Sequence, residues 1–210
     1  FRRNMPAAVC SFVGSIGGAL LASVIPGDWF KLALQKGGDS MIAVNKYGNR
    51  LYDEKFVYNE RTRSHLTWSA TKSEYANYYQ FMIFDDHAIA SGGMMMPPAG
   101  SDMPSYIIKG DTLEGLATAI DERLTALEDR VGHFRLDATF LDQLKATIER
   151  FNGFAKAGKD TDFNRGEAPI DNHFHGPSDN NHMYPISDTG PYYAIILAPG
   201  TLDTKGGPVT

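Results

Sequence analysis

The rhythm of apolar and polar positions changes several times along this chain, and each change predicts an element. Residues 41–45, Met-Ile-Ala-Val-Asn, are a short β-prone run. Lys46, Tyr47, Gly48 and Asn49 then supply turn chemistry before Arg50, Leu51 and Tyr52 resume an extended pattern, which predicts a hairpin. Residues 62–77 are polar with Leu66 and Trp68 embedded and predict loop and helix. Residues 78–84 are aromatic and β-prone and predict a buried strand that ends at Asp85 and Asp86. Residues 91–104 hold Gly92, Gly93, three methionines, Pro97 and Pro98, and predict a loop whose methionines fill gaps and do not bind metal.

Two helices follow from spacing. Leu113, Leu116, Ala117, Ile120, Leu124 and Leu127 recur at helical intervals, with Asp111 as the expected cap and Glu114 three residues later as its partner. A second helix is predicted from near Asp137, with Phe140, Leu141, Leu144, Ile148, Phe151 and Phe154 on one face and Gly158 as a left-handed stop. Residues 159–190, rich in Asp, Asn, Gly, Pro and His, predict a long irregular surface segment. Residues 192–197 restore regularity as a strand entering Pro199 and Gly200.

Composition narrows the function classes. Across 210 residues, 42% are hydrophobic and 21% charged, which excludes disordered and fibrous classes. Twenty basic residues stand against 25 acidic ones, and they are scattered, so nucleic acid is not an expected partner. The single cysteine, Cys10, lies in an apolar run and is read as a buried spectator. That run, residues 7–26, carries no charge. Gly14, Gly17, Gly18 and three serines dilute it, and it ends in Pro26, Gly27 and Asp28. It is read as buried core or pocket wall and not as a membrane span or signal peptide. The start at Phe1 and the stop after a Gly-Gly-Pro turn suggest a chain cut at both ends from a longer polypeptide.

The most conspicuous polar cluster is Asp171, His173, His175, Asp179 and His182. His-x-His on a strand would place two imidazoles on one face. A segment this polar collects such residues by composition, and no H-E-x-x-H or C-x-x-C accompanies them, so they are read as structural or solvated histidines and no metal is assigned. No G-x-S-x-G elbow, G-x-G-x-x-G or phosphate-loop Lys-Ser/Thr is present.

Three segments point to a family. They are MIAVNKYGNRLYDEKFVYNE (residues 41–60), LKATIERFNGFAKAGKDTDFNRG (residues 144–166) and GPYYAIILAPGTLDTKGGPVT (residues 190–210). In that order they resemble the cap, or catalytic, domain of the FAD-dependent dehydrogenases of the fumarate reductase and 3-ketosteroid 1-dehydrogenase superfamily, over most of residues 40–210. The resemblance implies an α+β cap inserted in a Rossmann-type FAD domain that this chain lacks. Residues 1–190 would then be the cap, with residues 1–30 an apolar lead-in, and residues 191–210 the strand and Gly-rich turn that return to the FAD domain. FAD would be bound mainly by segments outside this chain. Such a fragment would expose apolar surface around residues 192–207 and could dimerise through it. Cytoplasmic location is expected.

The last turn reads Leu202-Asp203-Thr204-Lys205-Gly206-Gly207, where fumarate reductases carry a His-Thr-Met-Gly-Gly type sequence. It looks more like the ketosteroid enzymes, and Thr204, Lys205, Gly206 and Gly207 are the implied flavin contacts. Gly48 to Glu54 is similar to the family pattern G-x-R-F-x-N-E, departing at Leu51 and Asp53, and Tyr58 follows at the distance where the ketosteroid enzymes carry a catalytic tyrosine. Shifting the register to Asn59 and Glu60, with Arg63 beyond, would instead suit an Arg-based proton pathway of the fumarate reductase type. The implied activity is dehydrogenation of a 3-ketosteroid-like substrate, with Tyr58 as base and Phe56, Val57 and Trp68 as apolar substrate walls. A dicarboxylate enzyme and a non-catalytic binding module using the His-rich segment are the alternatives.

Overall fold

The computed structural model describes residues 24–26, 39–56, 62–91 and 102–199. Cys10, most of the apolar run, the methionines at 94–96, Val57, Tyr58, Asn59, Glu60 and Thr204 to Gly207 lie outside the described residues. Among the described residues the sheet has five strands: β1 Val24–Pro26, β2 Met41–Val44, β3 Gln80–Asp85, β4 Ile108–Gly110 and β5 Tyr192–Ala198. β5 is central. On one side it pairs antiparallel with β3, from Gln80 opposite Leu197 to Asp85 opposite Tyr192, and β3 in turn carries β2. Its other side is shared end to end, by β4 at residues 192–194 and by β1, running parallel, at residues 196–198.

Six helices are described: α1 Thr62–His65, α2 Asp86–Ser91, α3 Leu113–Ala126, α4 Glu128–Val131, α5 Phe140–Ala157 and α6 Pro169–His175. α3 and α5 cover one face of the sheet, burying Leu116, Ile120, Leu124, Phe140, Leu144, Ile148 and Phe151 against Ile42, Val44, Phe81, Ile83, Ala194 and Ile196. The opposite face gathers Met41, Met82, Phe84, Tyr193, Ile195 and Leu197 with Ala88 of α2 and Ile107. Coverage on both faces explains why these strands read as continuous apolar runs without alternation.

Several sequence expectations shift on inspection. The first hairpin is reduced to a single bridge between Val44 and Arg50, because β2 takes β3 as its partner. The cap of α3 is Thr112, not Asp111: Thr112 Oγ1 accepts from Gly115 N at 3.1 Å, while the Asp111 side chain is exposed. Thr112→Ala is therefore expected to cost about 1 kcal/mol and Asp111→Ala much less, a contrast that chemical denaturation midpoints will read. α5 begins three residues after Asp137, whose side chain and carbonyl organise the lead-in turn, and it ends at Gly158 with φ +66° as its sequence predicts.

Two expectations are corrected in part. Of the 192–207 stretch, residues 192–197 form the buried central strand, and 200–207 lie outside the described residues. Residues 159–190 run largely along the surface, as expected, but with buried anchors. Asp160, Arg165 and Asp171 are fully buried, Met183 and Ile186 join the main core, and Asn152 of α5 clamps Ile186 by donating to its carbonyl at 2.7 Å and accepting from its N–H at 2.8 Å. The segment's polar composition thus supplies partners for buried groups as well as solvent contacts. Among the described residues no helix is long and apolar enough to cross a membrane.

Candidate functional site

The turn after β2 is built tightly. Gly48 adopts φ +79°, and a Cβ there would lie 2.6 Å from the Phe140 carbonyl oxygen, so α5 packs directly on its backbone. Thr147 of α5 donates from Oγ1 to the Gly48 carbonyl at 2.8 Å. The chain then turns inward and buries its charges. Glu54 is fully buried and accepts four hydrogen bonds: from Ala43 N (3.1 Å), Arg50 Nε (2.8 Å), Arg50 Nη2 (2.7 Å) and Arg165 Nη1 (3.1 Å). Arg50 also donates to Asp160 Oδ2 at 2.8 Å, with its guanidinium 5.2 Å from the Phe151 ring centre and 5.0 Å from that of Phe163. Arg165 donates besides to the carbonyls of Met41 (2.7 Å) and Asp39 (3.1 Å).

Electrostatics follow from burial. Desolvation pushes the Glu54 carboxyl up, but the charges and hydrogen bonds of Arg50, with Arg165 and the Ala43 N–H, outweigh it and hold the group near 2. Beside this cluster Lys55, fully buried, pairs with Asp39 at 2.8 Å. Burial lowers the pKa of Lys55 although Asp39 opposes the shift. Lys55 gives its carbonyl to His175 Nε2 at 2.9 Å. The motif residues Arg50 and Glu54 thus form a rigid base, and the chain leaves it at Phe56 toward position 58.

The sequence-predicted site residues are dispersed in what is described. Phe56 is 42% exposed at the end of the turn. Trp68 is 51% exposed and meets Tyr75 edge-on at 4.9 Å, so its ring partner is Tyr75 and not Phe56. Val57, Tyr58 and Thr204 to Gly207 lie outside the described residues. The two histidines of His-x-His lie on the helix α6, in which residues two apart diverge: His173 is exposed, while His175 binds the Lys55 carbonyl. His182 pairs its Nε2 with Asn172 Oδ1 at 3.2 Å. Among the described residues no group of three or more His, Cys, Asp or Glu is arranged to hold a metal ion. Sequence reasoning missed Asp160 and Arg165 as members of the buried cluster. Their signal was present in the quoted Gly-Lys-Asp and Asp-Phe-x-Arg-Gly strings, since an arginine in an aromatic setting suits a stacked, buried ion pair.

One glycine-flanked helix start among the described residues leaves no room for a dinucleotide phosphate. At the start of α3, where Gly110 and Gly115 would admit one, the protein fills the space itself, because a Cβ on Gly110 would stand 2.2 Å from Leu116 N. An open groove of about 280 Å³ lies beside Arg50, lined among others by Gln143, Arg150, Phe154 and Phe163; neither Phe56 nor Trp68 lines it.

Comparison with known proteins places this arrangement. Residues 24–210 match the family described as FAD binding domain. The chain is 34% identical over 194 residues to a 3-oxosteroid 1-dehydrogenase of Mycolicibacterium smegmatis, covering 85% of this chain and 30% of that protein. It is 31% identical over 182 residues to a 4-oxocyclohexanecarboxylate 2-dehydrogenase of Sinomonas cyclohexanicum, covering 85% and 29%. The crystal structure of 3-ketosteroid delta1-dehydrogenase from Sterolibacterium denitrificans, in complex with 1,4-androstadiene-3,17-dione, superposes with a TM-score of 0.62 at 25% identity, over 82% of this chain and 29% of that one. The chain spans under a third of the length of these relatives.

Proposed function

From the premise that the chain belongs to the FAD-binding-domain family, we propose that it is the substrate-side part of a flavoprotein that dehydrogenates a 3-ketosteroid-like ring ketone, placing a C=C bond beside the carbonyl. Both curated relatives are named as dehydrogenases of ring ketones, which supports this class. The single structural observation that supports the site is the buried Arg50–Glu54–Arg165 cluster, because it makes the G-x-R-x-x-x-E segment a fixed base four residues before Tyr58.

In this reading Tyr58 takes the proton from the carbon next to the ketone, and donors on the ketone oxygen make that C–H more acidic. Bound FAD supplies the hydride acceptor for the neighbouring carbon. Thr204, Lys205, Gly206 and Gly207 are this chain's contacts to it, the glycines letting backbone approach a flat ring. The rest of the cofactor's binding surface belongs to segments outside this chain. Phe56, Val57 and Trp68 supply apolar walls, and a polycyclic ligand gains about 25 cal/mol per Å² of apolar surface buried there, before association costs.

Turnover by the full-length protein tests the class. A 3-ketosteroid is expected to be oxidised and fumarate not to be reduced. Fumarate reduction without ketosteroid oxidation would overturn the reading, and oxidation of 4-oxocyclohexanecarboxylate alone would overturn the steroid assignment.

A further inference from the structure

β3 is apolar from Phe81 to Phe84, yet its first residue, Gln80, is a fully buried amide. Its backbone lies opposite Leu197 of the central strand, so the scaffold beneath it is fixed. The side chain makes two hydrogen bonds. Gln80 Oε1 accepts from Tyr52 Oη at 2.5 Å, and Gln80 Nε2 donates to Ser64 Oγ at 2.8 Å. Tyr52 and Ser64 stand on either side of the segment 53–63, which contains Tyr58. One buried amide therefore joins the two flanks of that segment.

Neighbouring contacts hold the same two flanks. On the incoming side Asp53 Oδ1 accepts from Lys55 N at 2.8 Å, and the Lys55 carbonyl accepts from His175 Nε2 at 2.9 Å. On the outgoing side His65 Nδ1 donates to the Tyr78 carbonyl at 2.9 Å, which ties α1 to the chain entering β3. Burying an amide costs free energy that an apolar residue at this strand position would not incur, and the cost is offset only where both oxygen and nitrogen find partners. Both partners of Gln80 belong to the flanks of the segment and none to the sheet.

We propose that Gln80 is a positioning residue for the dehydrogenation: it staples Tyr52 to Ser64 and so fixes both ends of the stretch that brings Tyr58 to the substrate. The proposal rests on the reading of Tyr58 given above. Tyr58 is six positions from each anchor, and six residues of extended chain reach about 20 Å. A stretch released at its flanks could carry its middle far from a reacting carbon, whereas one pinned at both is confined. Misplacing a reacting group by about 1 Å can cost on the order of 10²-fold in rate.

Gln80→Met keeps the length and bulk of the side chain and removes both hydrogen bonds. In the full-length, FAD-loaded enzyme, hydrogen exchange of peptides covering 52–56 and 62–66 is expected to quicken by about tenfold, while α5 exchanges as in wild type. On a ketosteroid, kcat is expected to fall by about 10–10²-fold with KM within about threefold. Tyr52→Phe is expected to lower kcat in the wild-type background and to lower it less in Gln80→Met, where its partner is already gone. Should Gln80→Met fail to fold, Ser64→Ala, at a half-buried position, releases the outgoing flank alone and is expected to quicken exchange at 62–66. Wild-type exchange in Gln80→Met, or in Ser64→Ala where that variant stands in for it, overturns the staple, as do strictly additive losses from Tyr52→Phe and Gln80→Met. Quickened exchange with a wild-type kcat, or a loss that falls on KM instead of kcat, overturns the positioning role. Exchange needs no turnover, and Tyr58→Phe assayed alongside shows whether the reading of Tyr58 has itself failed, so the two failures are told apart.

Discussion

Truncating Glu54 to alanine is expected to lower stability by about 3–5 kcal/mol, read from chemical denaturation midpoints, because it breaks a buried ion cluster by removing one partner. Glu54 is fully buried and is the carboxylate on which two arginines converge. Without it Arg50 keeps Asp160, but Arg165, also fully buried, keeps the carbonyls of Met41 and Asp39 and the Phe151 ring and no carboxylate hydrogen bond among the described residues. Those are dipoles facing a full charge, and the loss is correspondingly large. The Ala43 N–H on β2 loses its acceptor as well. Wild-type stability also acquires an acid limb. The Glu54 carboxyl titrates near 2 in the folded protein and near 4.5 in the unfolded chain, so its contribution is complete above about pH 4.5 and drains away as pH falls toward 2. A pH series of denaturation midpoints should show that limb in the wild type and a flatter one in Glu54→Ala. An equal acid slope in both would remove Glu54 from the centre of the cluster.

Replacing Tyr58 with phenylalanine is expected to reduce kcat on a ketosteroid by about 10²–10⁴-fold, the range for loss of a general acid or base. Phenylalanine keeps the ring and removes only the hydroxyl. FAD content is therefore expected to match the wild type, since the proposed flavin contacts of this chain are Thr204 to Gly207. A phenol titrates near 10 in water, so the base works only if a hydrogen-bonded partner or a relay draws its proton away. Substrate affinity should change much less than kcat, because in the proposed role the removed group acts on the reacting carbon and not on the ring surface. A Tyr58→Phe enzyme that turns over within a fewfold of wild type would refute the assignment and bring Arg63, the other register, forward as the candidate.

How much of this was legible in the sequence depended on whether the information was local. α5 was readable end to end, because its apolar positions recur every three to four residues and Gly158 supplies the left-handed stop. Thr112 was missed as the cap of α3 because Asp111 and Thr112 are both competent caps, and choosing between them takes the backbone angles. The partner of β2 was not local information. An extended run after Gly48 suggested a hairpin, but β2 finds more apolar surface against β3, about forty residues on in register. In segment 159–190 polar composition correctly predicted a largely solvated run, but not which polar groups turn inward: Asp160, Arg165 and Asp171 are buried. At the site, the motif positions Gly48, Arg50 and Glu54 were visible as a string. Their joint burial with Arg165, 111 residues from Glu54, was not, because ion pairs at that separation leave no periodic trace.

The placement of β5 has a consequence for how the polypeptide is made. β1, β3 and β4 all wait for a neighbour that is synthesised after every one of them. During translation the strands near positions 24, 80 and 108 emerge with open edges, and α3 and α5 find only β2 and β3, not the central strand, to bury their apolar stripes against. Closure comes only when residues 192–198 clear the ribosome, so the nascent chain passes through a long interval of sticky, half-assembled intermediates. Chaperone dependence during expression, and aggregation of any product that stops short of residue 192, are the expected biological marks of a sheet whose keystone arrives last.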